Sequence, residues 1–239
     1  MCWEIAWAST EEYIVTTSED GVIRKWSNLF ECPTMYARST QEHKNAALEW
    51  SPDDRLIASV SVNTAKLWDA SNLSLLWECS GFWCHGTAFH SLGHRFFYFD
   101  GCDVCDVNIE DTGNCVDIWR KLDNSFYRVA FNPSGSTFVA RTEQGVKTFI
   151  ADSFEEQASL PFSSCMAMQY TPDGEYIVLV LETKRVVLWD VARGRAAEDL
   201  LLDLDCTTVW NVEISKNCRV IQLRSGGKSY LVRLNSMYY

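Results

Sequence analysis

Lys66-Leu67-Trp68-Asp69-Ala70 and Val187-Leu188-Trp189-Asp190-Val191 are one phrase written twice. Each follows a turn signal and a short apolar run. Ser51-Pro52-Asp53-Asp54 precedes residues 56–61, and Thr171-Pro172-Asp173-Gly174 precedes residues 176–181. Asn132-Pro133-Ser134-Gly135 opens a third copy, which ends on Phe149 in place of Trp. A phrase that recurs at a fixed spacing implies stacked copies of one supersecondary unit.

The spacing follows from the bulky residue just ahead of each turn. It recurs at Trp7, Trp50, Phe89, Phe131, Tyr170 and Ile214, at intervals of 39–44 residues. Some helical repeats share this period, but the local texture is β. Residues 56–61, 138–141 and 176–181 are short, β-rich and bounded by turn residues, and none runs for the three turns of a helix. Each unit reads as four strands; in the fifth they fall at about 166–170, 176–181, 185–190 and 196–202. The third strand of a unit ends on Trp26, Trp68, Phe149, Trp189 and, weakly, Val232. A ring there can fill the gap of about 10 Å between stacked sheets.

These phrases resemble the WD-repeat family over nearly the whole chain. The resemblance implies an all-β fold, a β-propeller of about six WD-type blades in one domain. The units are about 1–43, 44–83, 84–124, 125–163, 164–205 and 206–239. Units one, two and five match well, unit four in part, and units three and six are degenerate. The structural blade residues it implies are Asp20, Trp26, Trp68, Asp69, Phe149, Trp189 and Asp190. Only unit one keeps a turn Asp (Asp20) with its Trp (Trp26), so Trp68 and Trp189 are expected to act as packing wedges outside a full hydrogen-bond network. The last blade is expected to be incomplete, with three strands. With nothing upstream to complete it, two readings stand: a compact six-blade protein closed without a strand clasp, or, as the favoured expectation, part of a larger propeller or a longer chain. Ser51-Pro52-Asp53-Asp54-Arg55-Leu56-Ile57-Ala58-Ser59 is similar to the repeat regions of fungal signalling ATPases.

Composition narrows the function classes. The net charge is −11 and no Lys/Arg cluster stands out, which argues against nucleic acid or an anionic membrane as main partner. No window reaches the 18 or so apolar residues of a membrane span. Met1-Cys2-Trp3-Glu4 has no basic region, and Glu4, Glu11 and Glu12 interrupt any signal core, so a cytoplasmic (or nuclear) location is expected. The ten scattered Cys then read as small buried hydrophobes.

No chemical constellation assembles, and no cofactor or metal is expected. Cys102 and Cys105 have half-zinc-site spacing, but on a strand their side chains point to opposite faces. His85, His90 and His94 lack a nucleophile elbow and an orienting carboxylate. Trp189-Asp190-Val191-Ala192-Arg193 resembles the ending by which some WD-repeat proteins dock on a cullin ubiquitin-ligase adaptor, with the Arg one place late. The segment Cys79-Ser80-Gly81-Phe82-Trp83-Cys84-His85-Gly86 links two units, and Phe82, Trp83 and His85 form a candidate protein-binding loop. The expected function is a non-catalytic platform for a protein or peptide partner. The alternatives are a substrate receptor of a cullin-type ligase and a propeller hydrolase. The hydrolase requires Glu49, Arg128, Gln169 and Glu213 to line one end of a channel beside a roomy pocket.

Overall fold

In the computed structural model, a turn closed by two backbone hydrogen bonds follows the first strand of nearly every repeat. The N–H of Ser51 donates to the Leu56 carbonyl at 2.9 Å, and the Asp54 N–H donates back to Ser51 O at 3.0 Å. The same pair of bonds recurs at His90/Arg95, Asn132/Thr137, Thr171/Tyr176 and Ser215/Val220. The residue three places into each turn has a positive φ: Asp54 58°, Gly93 84°, Gly135 75°, Gly174 75° and Cys218 56°. Left-handed backbone is open to Gly and tolerated by Asp, which explains the Pro-Asp-Asp, Pro-Ser-Gly and Pro-Asp-Gly signals.

The structure describes residues 2–10, 12–18, 20–27, 33–38, 45–61, 64–80, 86–100, 102–109, 115–123, 125–201, 209, 211–215, 218, 220–225 and 228–233. These turns open antiparallel meanders. Blade one comprises β1 (Cys2–Trp7), β2 (Tyr13–Ser18), β3 (Val22–Ser27) and β4 (Pro33–Arg38). Blade two comprises β5 (Asn45–Trp50), β6 (Leu56–Ser61), β7 (Thr64–Asp69) and β8 (Leu75–Ser80). Blade three comprises β9 (Gly86–Phe89), β10 (Arg95–Asp100), β11 (Asp103–Ile109) and β12 (Cys115–Lys121). Blade four comprises β13 (Phe126–Phe131), β14 (Thr137–Thr142), β15 (Gly145–Ile150) and β16 (Glu156–Ser159). Blade five comprises β17 (Ala167–Tyr170), β18 (Tyr176–Val180), β19 (Arg185–Asp190) and β20 (Arg195–Leu201). Blade six comprises β21 (Asn211–Ile214), β22 (Val220–Ser225) and β23 (Lys228–Arg233). Strands pair in chain order within every sheet, and the sixth sheet has three strands among the described residues. The fold is an all-β, six-bladed β-propeller.

The chain divides into two compact units, Met1–Ser125 and Phe126–Tyr239, with three blades in each. Inside each unit, neighbouring blades share a core. Alternate residues of β6 face opposite ways: Leu56, Ala58 and Val60 pack with Phe89, Phe96 and Tyr98 of blade three. Ile57 packs with Val15 and Ile23 of blade one. In the second unit, Val139 and Val146 meet Tyr170 and Ile177, and Val178 and Val186 meet Ile221 and Leu223. The turns are stitched as well. Asp54 accepts from Ser9 N at 2.7 Å, Ser9 Oγ at 2.8 Å and Thr10 N at 3.1 Å, and Asn132 Nδ2 donates to Gly174 O at 3.4 Å.

Each half of the Trp-Asp phrase has a separate task. The Trp68 indole N–H donates to Ser59 Oγ at 2.9 Å, and Trp26 donates to Thr16 Oγ1 at 2.9 Å. Trp68 therefore does more than wedge; it keeps one buried hydrogen bond. In blade five Leu179 stands where blade two has Ser59, and Trp189 packs edge-on to Phe162 with centroids 5.6 Å apart. In blade four Ala140 and Phe149 take the two places, so donor and acceptor vanish together. The Asp caps the turn after the third strand: Asp69 accepts from Ser71 N at 2.7 Å, and Asp190 accepts from Arg193 N at 2.8 Å.

Two substitutions test this account. Ser59→Ala leaves the buried Trp68 N–H without its acceptor and should cost about 1–3 kcal/mol in urea unfolding. Gly145 has φ 115°, and a Cβ there would lie 2.7 Å from Phe162 O, whereas at Gly194 (φ 60°) it would meet nothing within 4 Å. Gly194→Ala should cost only the left-handed strain of about 1–2 kcal/mol, and Gly145→Ala measurably more.

Candidate docking cleft

Strand β3 places Ile23 and Lys25 on the same side, toward blade two. Ile23 is wholly buried and Lys25 is 8% exposed, at a position where β7 has Leu67 and β19 has Leu188. A lysine in that place must satisfy its ammonium locally. Lys25 Nζ donates to Ala70 O at 2.7 Å and lies 4.2 Å from the centre of the Tyr13 ring and 5.7 Å from that of Trp50. Burial lowers its pKa, and the nearby Asp69 and Asp54 charges oppose the shift. The Trp50 indole N–H is spent on Ala6 O at 3.1 Å, which ties β5 to β1.

These groups form the floor of a cleft of about 430 Å³ between blades one and two. Ala8, Tyr13, Lys25, Trp50 and Ala70 supply the inner surface; Thr10, Glu12, Asp54, Arg55, Asp69 and Ser71 supply a polar rim. Aromatic faces below a charged rim suit one inserted side chain or a short segment, held by apolar contact and oriented by a few polar bonds. Asp54 and Asp69 are already committed to the turns, so they shape the rim. Burial pushes the Asp69 carboxyl up, and hydrogen bonds from Ser71 and Asn72 with the Lys25 charge together bring its pKa below the ordinary value.

The other residues singled out by sequence distribute as follows. Phe82, Trp83 and His85 lie outside the described residues. Asp20 is exposed and accepts from Ser18 Oγ at 2.5 Å, Val22 N at 3.0 Å and Arg24 Nη2 at 2.5 Å. The Arg24 guanidinium holds its carboxyl well below the usual range. Its partners are therefore turn and strand groups, and Trp26 bonds separately to Thr16. Arg193, the late Arg of the cullin-like phrase, is ion-paired to Asp190 at 2.7 Å. Cys102 Sγ lies 3.3 Å from Ser125 Oγ while Cys105 Sγ reaches Asp117 at 3.9 Å, so the two thiols have different partners. His90 is a buried turn residue whose Nδ1 accepts from Leu92 N at 3.3 Å. Among the described residues no three His, Cys, Asp or Glu side chains are arranged to hold a metal ion, and no helix is long and apolar enough to cross a membrane.

Glu49, Arg128, Gln169 and Glu213 occupy first strands of their blades, and none of them lines the cleft. Glu49 is mostly buried on β5, and burial raises its carboxyl from the ordinary 4.5 to about 7, with the Phe89 N–H opposing. The folded chain therefore keeps a proton between about pH 4.5 and 7 that the unfolded chain releases. Stability contributed in this way is present at low pH and lost as pH rises through 7. Glu49→Gln should leave stability at pH 4 unchanged and raise it at pH 8 by on the order of 2 kcal/mol in denaturant titrations.

The family description "WD domain, G-beta repeat" matches residues 2–27, which are the first three strands of blade one. A search of curated proteins returned no match. Residues 2–27 match a WD repeat, and the six sheets built on the same strand order make the chain a β-propeller similar to the WD-repeat family.

Proposed function

We propose that this propeller is a non-catalytic interaction module whose cleft between blades one and two receives a segment of a partner protein. The cleft carries the proposal: Tyr13 and Trp50 offer rigid aromatic surface, and Lys25 and Arg55 offer charge at a site of about 430 Å³. Rigid aromatics and arginine are the residue types that dominate binding energy at interfaces. The WD-repeat architecture is consistent with the same role, because stacked blades hold their loops on a stiff frame. The strongly acidic chain supports a protein partner over nucleic acid, and an intracellular setting suits its many free thiols. The Phe82/Trp83/His85 loop remains a second proposed contact.

The test fills the cleft from its rim. Ser71 is exposed, so Ser71→Trp obstructs the opening without replacing a core residue. Affinity capture with the intact chain should recover a partner that Ser71→Trp loses and that Glu175→Ala, an exposed position outside the cleft, retains. Capture unchanged by Ser71→Trp but abolished by Phe82→Ala/Trp83→Ala would move the site to the loop. Capture unaffected by either would refute both.

A further inference from the structure

Arg128 on β13 and Arg141 on β14 are direct cross-strand partners. Opposed residues of an antiparallel pair share a face of the sheet, and like charges placed so are destabilising. The same face carries Ala130, Val139 and Val146, which pack against Met168, Tyr170 and Ile177 of blade five. Two cations therefore sit at an otherwise apolar seam, in a chain where 32 acids outnumber 21 Lys and Arg. Acids are plentiful enough to neutralise both, yet among the described residues only Arg141 has a carboxylate within reach, Glu182 at 4.0 Å.

Arg141 donates to the Cys165 carbonyl at 3.3 Å. Its nearest carboxylate oxygen, Glu182 Oε1, is 4.0 Å away and already accepts from Ser164 Oγ at 2.7 Å. Tyr127, whose ring centre lies 5.8 Å from the Arg141 guanidinium carbon, spends its hydroxyl on Glu143 at 3.2 Å. Arg128 makes no side-chain hydrogen bond, ion pair or ring contact with any described residue. It is half-buried, and burial together with the Arg141 charge lowers its pKa. Cys165 is the other ionisable group close by, but burial pushes its thiol up to about 11, so at neutral pH it supplies no counter-charge.

We propose that Arg128 and Arg141 form an oxyanion subsite at the seam of blades four and five, which takes a carboxylate or phosphate group. Guanidinium groups match the geometry of such a group, and register sets these two on one face of the sheet. The bound anion removes the repulsion between the two cations and gives Arg128 the partner it lacks. The subsite involves blades four and five alone and does not depend on the cleft.

The experiment compares the wild-type chain with Arg128→Met and Arg128→Lys by calorimetric titration, using sodium phosphate and a hexaglutamate peptide as probes against sodium chloride of equal ionic strength. The wild type should bind one or both probes saturably, phosphate alone indicating a phosphoryl ligand and hexaglutamate a carboxylate one. Arg128→Met should weaken binding at least about tenfold, the loss expected for a charge-assisted bond. Arg128→Lys, which keeps the charge without the fork, should fall between. Without anion, Arg128→Met should unfold at no lower temperature than wild type, because it removes a like-charge contact. Arginine Nε resonances in the wild-type chain give a second readout that needs no variant, and Arg128 should shift on adding the bound probe. No saturable response beyond chloride, or equal affinity in Arg128→Met, would overturn the proposal.

Discussion

A small sheet buried on both faces cannot stand alone, and that constraint organises the whole chain. All six residues of β6 are buried, with Ile57 packed against blade one and Leu56, Ala58 and Val60 against blade three. A single four-stranded sheet would leave one of those faces in water. Stacking is what makes the sequence foldable, and it explains why most repeats carry a bulky residue at the end of their third strand. Trp68 and Phe149 are 4% and 1% exposed because they fill the space that the neighbouring sheet would otherwise leave empty. Packing decides that place, so Phe substitutes for Trp where the Ser or Thr acceptor is also lost.

The turns convert that packing into a fixed geometry. A left-handed residue three places into each turn reverses the chain in the space of a few residues, and side chains of one turn then reach the next. Asp54 joins blades one and two in this way, Asn132 joins blades four and five, and Cys218 Sγ meets Asp173 at 3.8 Å between blades five and six. The loops of a propeller are useful as binding surface because such contacts keep them in place.

Several charges enter the interior as ion pairs, among them Lys66, Asp106 and Lys147, and the proposals rest on others. Lys25 stands where other blades have Leu, Glu49 holds its proton near neutral pH, and Arg128 faces Arg141 with no carboxylate of its own among the described residues. Buried or half-buried charge is costly when it is not fully paired. Sites that violate local packing rules are where function is expected to offset the cost. The proposed cleft and oxyanion subsite follow from that argument.

The repeat phrase, its spacing and its turn residues were enough to give the propeller class and the strand order, because both depend on periodicity along the chain. Blade five shows this: strands anticipated at 185–190 and 196–202 fall at Arg185–Asp190 and Arg195–Leu201. The cleft was not legible in the same way. Lys25 at a core-parity position was a visible signal, but its meaning depended on Tyr13 and Trp50, which are 12 and 25 residues away and belong to different strands. Trp68 was expected to be a wedge, and only the cross-strand register placed Ser59 under its indole nitrogen. Arg128 and Arg141 are 13 residues apart and unremarkable in sequence until pairing sets them face to face. Sequence alone determines what repeats along the chain; which side chains meet across strands and between blades is set by register and sheet packing, and those exist only in the folded protein.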